Sequence, residues 1–280
     1  MIEGGDPRLI LARADLAAAS LEGLVRSERY AAVRTLQVTA PSAPVLPSAD
    51  PRSGWVDELL YGELFDVVGP EGDFLWGQAR RDGYVGFVAA ALLEPLARPP
   101  THRVSAIRAY AFAEPSIRSQ PIGPFSLGAL VAIDSDDDGF LKSRDGAFFW
   151  AGCLAPIGGG FERDPATVAE RFLGAPYIWG GRTSLALDCS GLIQQALYAC
   201  GKACPRDADQ QARLGRPVDP DDLARGDLVC WTGHIGMMLD ETRLIHASFH
   251  WMATRAEALA DVVARNQAAD RGGPTSFRRL

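Results

Sequence analysis

The sequence predicts an α+β protein in which a mixed C-terminal region follows two small all-β units. Three patterns support that reading. From Gly54 to Leu96, short β-rich runs alternate with Gly and Asp turn signals. The same pattern then recurs in weaker form. After Gly158-Gly159-Gly160, helix signals appear first and strands follow from Asp227 onward, the order of an α+β domain.

Leu9 to Tyr30 is rich in Ala and Leu with interspersed charges and reads as one or two short helices, so residues 1–33 are expected as an N-terminal helical segment. Thr39 to Pro51, rich in Pro, Ser and Ala, reads as an irregular connection. Leu59 to Val68, Phe74 to Ala79 and Tyr84 to Val88 are the strand runs of the first β unit. Phe125 to Ile133 resembles the run at Leu60 to Val68, and Phe140 to Lys142 matches Phe74 to Trp76. Arg144-Asp145-Gly146 matches Arg81-Asp82-Gly83, and Leu154-Ala155-Pro156 matches Leu93-Glu94-Pro95. This is an internal duplication of a unit of about 60 residues, a size at which small domains can fold alone. Pro99-Pro100 separates the copies, which are expected over 34–97 and 101–158. The second copy has Ala129 and Phe148 where the first has Glu63 and Tyr84, so it is expected to be a spacer.

The third region, 161–280, opens with a helix start: Asp164 as cap, Pro165 at the first position, and Val168, Phe172 and Leu173 on one face. Gly174 ends it. Ser190 to Cys200 is a second helix with Leu192, Ile193, Ala196 and Leu197 on one side, closed by Gly201. Asp227 to Trp231, Ile235 to Leu239 and Arg243 to Ala247 read as strands.

Composition narrows the function. A net charge of −7 argues against nucleic acid as a bulk partner, because phosphate binding needs a basic face. No apolar run is long enough to span a bilayer, so no membrane partner is expected. The N-terminal residues lack a basic region followed by an apolar core, and five cysteines are too few and too odd for a disulfide framework. Both point to a reducing cytoplasm.

The chemistry lies in Pro176-Tyr177-Ile178-Trp179-Gly180-Gly181 and Asp188-Cys189-Ser190-Gly191. Cys189 falls at a helix start, where the dipole favours thiolate. His234 and His246 follow on adjacent strand runs, which can bring the two rings together. His234 is the expected base, forming an ion pair with the thiol, and His246 the group that fixes its tautomer. The Cys189 backbone N–H and Tyr177 are candidate oxyanion donors. His250, four residues past His246, is the alternative third member. Cys200 and Cys204 lack the second half of a zinc pattern, so no metal or other cofactor is expected. Cys230 reads as core, His102 as surface, and Trp55 and Trp76 as barrel core or interface.

These residues, with Gln195, Pro205-Arg206-Asp207, Gln211, Gly226-Asp227-Leu228 and the runs around both histidines, resemble the NlpC/P60 cysteine peptidases, papain-like α+β domains that cut cell-wall peptides. The resemblance covers Asp164 to about Leu259. The two β units resemble bacterial SH3 (SH3b) domains. The whole arrangement is similar to the γ-D-glutamyl-L-diamino acid endopeptidases of murein-peptide recycling, the YkfC-like group. The resemblance implies Cys189 as nucleophile, His234 as base, His246 as third member and Tyr177 in the oxyanion hole. It implies that Asp188 holds the free L-Ala amine of a short murein peptide, with Glu63 and Tyr84 of the first β unit as further contacts. Trp179, Ser190 and Asp207 would line the pocket. Ala208 departs from the Ser or Thr often found there. Two rivals stand beside this expectation: an envelope hydrolase acting on intact cell wall, and a non-catalytic wall-binding protein.

Overall fold

The structure is a computed structural model and describes residues 5–96 and 98–280. It divides into two compact units, Met1–Ile157 and Gly158–Leu280.

From Leu9 to Tyr30 the first unit is not helical. Between Leu9 and Tyr30 there are only one-turn 3-10 segments and two short strands, β1 (Ala17–Ala18) and β2 (Tyr30–Ala31), paired in parallel. The reason is tertiary. Leu11, Leu16 and Ala18 pack on Phe74, Trp76 and Phe87, and their spacing suits an extended strap rather than one helical stripe. Burial overrides a propensity that is marginal for so short a segment. Arg13 adds a guanidinium 4.6 Å over the Trp76 ring. Trp76 is core, and Trp55 is partly buried against the same cluster.

The first β copy contains β3 (Arg34–Val38), β4 (Ser42–Val45), β5 (Asp57–Leu60), β6 (Leu64–Glu71), β7 (Phe74–Ala79), β8 (Val85–Ala89) and β9 (Leu93–Pro95). β4 lies inside the stretch expected to be irregular. Pro44 is tolerated there because β4 and β5 form a separate two-stranded ribbon. The remaining strands form a sheet in the order β9-β3-β6-β7-β8, and an isolated bridge from Leu46 to Phe87 ties the ribbon to β8. The sheet's inner face carries Leu36, Val38, Phe65 and Val67. On its outer face Thr35 donates to Asp66 at 2.6 Å.

The second copy contains β10 (His102–Val104), β11 (Arg108–Phe112), β12 (Pro121–Ser126), β13 (Leu130–Val131), β14 (Ile133–Asp137), β15 (Phe140–Ser143), β16 (Phe148–Trp150) and β17 (Leu154–Pro156). Its order is β17-β10-β13, then β14-β15-β16-β11-β12. This repeats the first copy with two changes: the long strand β6 is represented by β13 and β14, interrupted at Ala132, so the sheet is split, and the ribbon β11-β12 joins the sheet by pairing with β16. Each copy has a 3-10 turn before its last strand, Ala90–Leu92 and Ala151–Cys153. The turn at Gly62 is pressed against the second copy. A Cβ there would lie 2.0 Å from the Leu130 carbonyl oxygen, and φ is +78°, so only glycine fits.

The second unit contains α1 (Pro165–Glu170), α2 (Cys189–Ala199), α3 (Ala208–Gln211), β18 (Arg216–Pro217), β19 (Leu228–Trp231), β20 (His234–Met238), β21 (Arg243–Ser248), β22 (Ala253–Ala258), α4 (Leu259–Ala268) and β23 (Ser276–Arg279). The strands form one antiparallel sheet, β18-β23-β19-β20-β21-β22. Asp164 caps α1 by accepting from the Ala166 N–H at 3.0 Å. Val168 and Phe172 are buried, whereas Leu173, expected on the same face, is half exposed because α1 has already ended. Every residue of α2 is buried. Leu192, Ile193 and Leu197 each contribute about 2 kcal/mol by leaving water, which holds α2 firmly beside β20 and β21.

Candidate active site

Cys189 is the first residue of α2, and the preceding residue builds its setting. Asp188 is extended and caps the helix by accepting from the Gly191 N–H at 2.8 Å. Gly191 has no alternative: a Cβ would lie 2.3 Å from the Gly181 carbonyl oxygen. The Gly180-Gly181 turn thus lies directly on the start of α2, and the Gly180 N–H donates to Asp188 at 2.8 Å. Arg206 pairs with both Asp188 oxygens at 3.0 and 2.7 Å. Ser190 donates to Asp188 at 3.2 Å and accepts from Arg206 at 2.7 Å.

Five donors therefore occupy the two Asp188 oxygens, which fills a carboxylate's capacity. Asp188 is thus the internal cap of the helix and the ion-pair partner of Arg206, and Ser190 is bracketed between the two.

The two histidines meet across the sheet. His246 stands opposite Gly236 in the extended register of β20 and β21 (Met237 with Ile245, Met238 with Leu244), so His234 lies diagonally from it. The missing side chain at Gly236 leaves room, since a Cβ there would already crowd Leu244 and His246. His234 Nε2 and His246 Nδ1 are 2.7 Å apart. The line continues one strand further. His246 Nε2 lies 2.8 Å from Glu257 Oε2 on β22, and Arg265 of α4 donates to both Glu257 oxygens at 2.8 and 3.0 Å. His250 is exposed and packs edge-on against Trp251, ring centroids 4.6 Å apart, so it takes no part in this line.

Glu257 and Arg265 were not foreseen from the sequence. Their consequence is the proton arrangement of both rings. Burial pushes the Glu257 carboxyl up, but hydrogen bonds from His246, Arg265 and Trp251 outweigh it and hold it at about 2. An ionised carboxylate only accepts, so His246 carries its proton on Nε2. Its Nδ1 lone pair then accepts from His234 Nε2–H. The remaining lone pair of His234 is on Nδ1, free to act as base.

The thiol and this imidazole share one constraint. Burial first, then the neighbouring Asp188 charge, pushes the Cys189 thiol up to about 12, although the Ile235 and Ser190 backbone N–H groups and Arg206 favour the thiolate. Burial first, then His246 and Arg265, lowers His234 to about 3. Burial thus opposes the charge on both groups, while the helix head, the two backbone N–H groups and Arg206 favour the thiolate.

Tyr177 is half-buried, and its hydroxyl makes no hydrogen bond among the described residues. Burial, with Cys189 and Asp188 nearby, keeps it protonated, so it remains an O–H donor. Trp179 is 64% exposed and offers its indole face to solvent. Asp207 is half-buried at the head of α3, its N–H bonded to Gln210 at 3.2 Å. Ala208 is buried beside it. Among the described residues no group of His, Cys, Asp and Glu could hold a metal ion. All five cysteines are free thiols, with Cys230 wholly buried in β19.

Glu63 and Tyr84 belong to the first unit. Glu63 is buried and accepts from the Leu60 N–H at 3.1 Å and from Arg81 at 3.0 Å. Tyr84 packs in the core of the first β copy. Its counterpart in the second copy is Ala147, not Phe148. The Ala79 N–H bonds to the Tyr84 carbonyl as the Ser143 N–H bonds to that of Ala147, because the second hairpin loop is one residue shorter. Ala129 does correspond to Glu63: each follows a glycine and repeats the same two backbone bonds.

Residues 174–263 match the NlpC/P60 family, and residues 45–93 match the bacterial dipeptidyl-peptidase Sh3 domain. The gamma-D-glutamyl-L-lysine dipeptidyl-peptidase of Bacillus subtilis strain 168 is 26% identical over 211 residues, 68% of this chain and 71% of that protein. Dipeptidyl-peptidase 6 of Lysinibacillus sphaericus is 27% identical over 244 residues, 75% of this chain and 86% of that protein. In fold, the chain is similar to an NlpC/P60 family protein from Bacillus cereus ATCC 10987, with a TM-score of 0.75 at 19% identity, covering 88% of this chain and 99% of that one. The chain thus carries an NlpC/P60 cysteine-peptidase domain and an SH3 domain of the bacterial dipeptidyl-peptidase type.

Proposed function

We propose that this peptidase hydrolyses the γ-D-glutamyl–diamino acid bond of short murein peptides bearing a free N-terminal L-Ala. The observation that carries the reading is the line His234, His246, Glu257 on three adjacent strands, with Cys189 at the head of a buried helix where its thiol meets the backbone N–H of Ile235, the neighbour of His234. His234 Nδ1 accepts the thiol proton as sulfur attacks the γ-carbonyl carbon. The Cys189 N–H and the Tyr177 O–H receive the oxyanion. The intermediate collapses as His234 returns its proton to the departing amine, leaving a thioester. Water then gives a proton to His234 and its oxygen to the acyl carbon, the C–S bond breaks, and the thiol regains its proton.

Substrate length follows from the relatives' names: a dipeptidyl-peptidase releases two residues from a free amino end. Five unpaired thiols favour a reducing cytoplasm and a role in peptide recycling. The two β copies are read as SH3-like domains. The second has Ala129 and Ala147 in the places of Glu63 and Tyr84 and serves as a spacer.

The test is hydrolysis of L-Ala-γ-D-Glu-diamino acid, with the dipeptide product identified by mass. Cys189→Ala should abolish turnover, and unchanged turnover would leave only a binding role. Acetylating the L-Ala nitrogen should nearly abolish cleavage; equal rates would remove the free-amine requirement. Activity confined to intact sacculi would favour an envelope hydrolase instead.

A further inference from the structure

A cleft of about 460 Å³ opens beside His234, with Trp231, Phe249, Asn266, Asp270 and Arg271 among its lining residues. Resting on the reaction above, its place has a chemical meaning. His234 must protonate the departing amine, so the departing group occupies the space that His234 borders.

The polar equipment of this cleft is unspent. The Arg271 guanidinium lies 4.5 Å over the Phe249 ring, and that ring lies 6.3 Å from the ring of His234. Among the described residues no carboxylate pairs with Arg271. Asn266 is 9% exposed, yet its side-chain amide makes no hydrogen bond among the described residues. Asp270, exposed at the end of α4 with φ +54°, supplies a carboxylate without a cationic partner among the described residues.

We propose that this cleft holds the departing diamino acid by its free α-carboxylate through Arg271, with Asn266 hydrogen-bonding the same end and Asp270 receiving the side-chain ammonium. A diamino acid presents these two charges: a carboxylate on the carbon that bears the leaving nitrogen, and an ammonium several bonds away. A monodentate or forked guanidinium–carboxylate contact suits the first. The cleft therefore selects peptides that end at the diamino acid over those that continue beyond it.

The experiment uses the full chain and two substrates, L-Ala-γ-D-Glu-diamino acid as free acid and as C-terminal amide. The free acid should show about tenfold higher kcat/KM than the amide. Arg271→Ala should lower kcat/KM about tenfold for the acid, mainly through KM, and far less for the amide, so that the two substrates become nearly equal. Arg271→Lys should recover part of the preference. An unchanged acid-to-amide ratio in Arg271→Ala, or equal rates in the unaltered protein, overturns the cleft assignment while leaving the peptidase reading intact. Failure of the unaltered protein to cleave either substrate overturns both.

Discussion

Two carboxylate–arginine pairs flank the candidate reaction line, and they differ in what they hold. Asp188 and Arg206 are almost completely buried at the head of α2, where they grip Gly180, Ser190 and Gly191. Glu257 and Arg265 are partly exposed at the edge of the sheet and hold an imidazole. The first pair is part of the architecture that places the sulfur. The second acts on a proton, through the tautomers of His246 and His234. Similar chemistry at the two ends therefore serves position at one and protonation at the other. The difference follows from burial and from which atoms the carboxylate meets.

The contrast can be broken most severely at Arg206. Arg206→Met leaves the Asp188 charge buried without its partner and should cost about 3–5 kcal/mol of stability, read as a lower denaturation midpoint. A variant as stable as the parent would show that the pair does not hold the helix head. At the other end, Glu257→Ala should lower kcat by about 10–100-fold, with KM little changed and a smaller loss of stability than Arg206→Met. Glu257→Gln should recover most of the rate, because an amide oxygen still accepts from His246. A large loss of stability instead of rate would make the two pairs alike.

Acidity sharpens the same contrast. His234 is held below its ordinary value, so the base stays neutral as pH falls through about 6.5, and the acid limb of kcat/KM should lie below that of an ordinary histidine. The unfolded chain takes up this proton first, so His234 stabilises the fold above about pH 6.5 and less as pH falls toward about 3. Glu257 acts in the same direction, its contribution present above its ordinary value of 4.5 and lost as pH falls toward about 2. Calorimetry across pH 3 to 7, a range set by those values, should show falling stability, and a flat profile would remove the buried neutral imidazole. The smallest expected effect is at His250. His250→Ala should change activity by less than about twofold, and a collapse of kcat would place it in the line instead of His246.

Much of this site could be read before the fold was known. Asp188 and Cys189 carry a helix start in their own residue types, and both histidines sit in apolar strand runs. Glu257 and Arg265 carried no such signal. Their segment is rich in Ala, Arg and Glu, and their meaning depends on the register of β22 against β21 and on the return of α4. Asp188 was legible as a carboxylate beside the nucleophile, but its occupancy by Arg206 depends on a residue 18 positions away. Tyr84 and Ala147 each directly follow the matched Arg-Asp-Gly turn, so this correspondence was legible in the sequence, and the expectation of Phe148 lay one residue off. Leu9 to Tyr30 was read as helix because composition carries propensity, whereas its packing against Trp76 and Phe87 is a long-range matter.

The close approach at Gly62 has a consequence for modularity. Leu60, from the first β copy, is wholly buried in the apolar cluster of the second, and Tyr61 packs there with it. Tyr61 also bonds through its carbonyl to the Leu130 N–H at 2.8 Å and sets its ring 4.9 Å from that of Phe125. The duplication has therefore produced a fused pair rather than two exchangeable cassettes. A graft or truncation that cuts at Pro99-Pro100 opens a hydrophobic seam on both fragments, so the portable block is the pair.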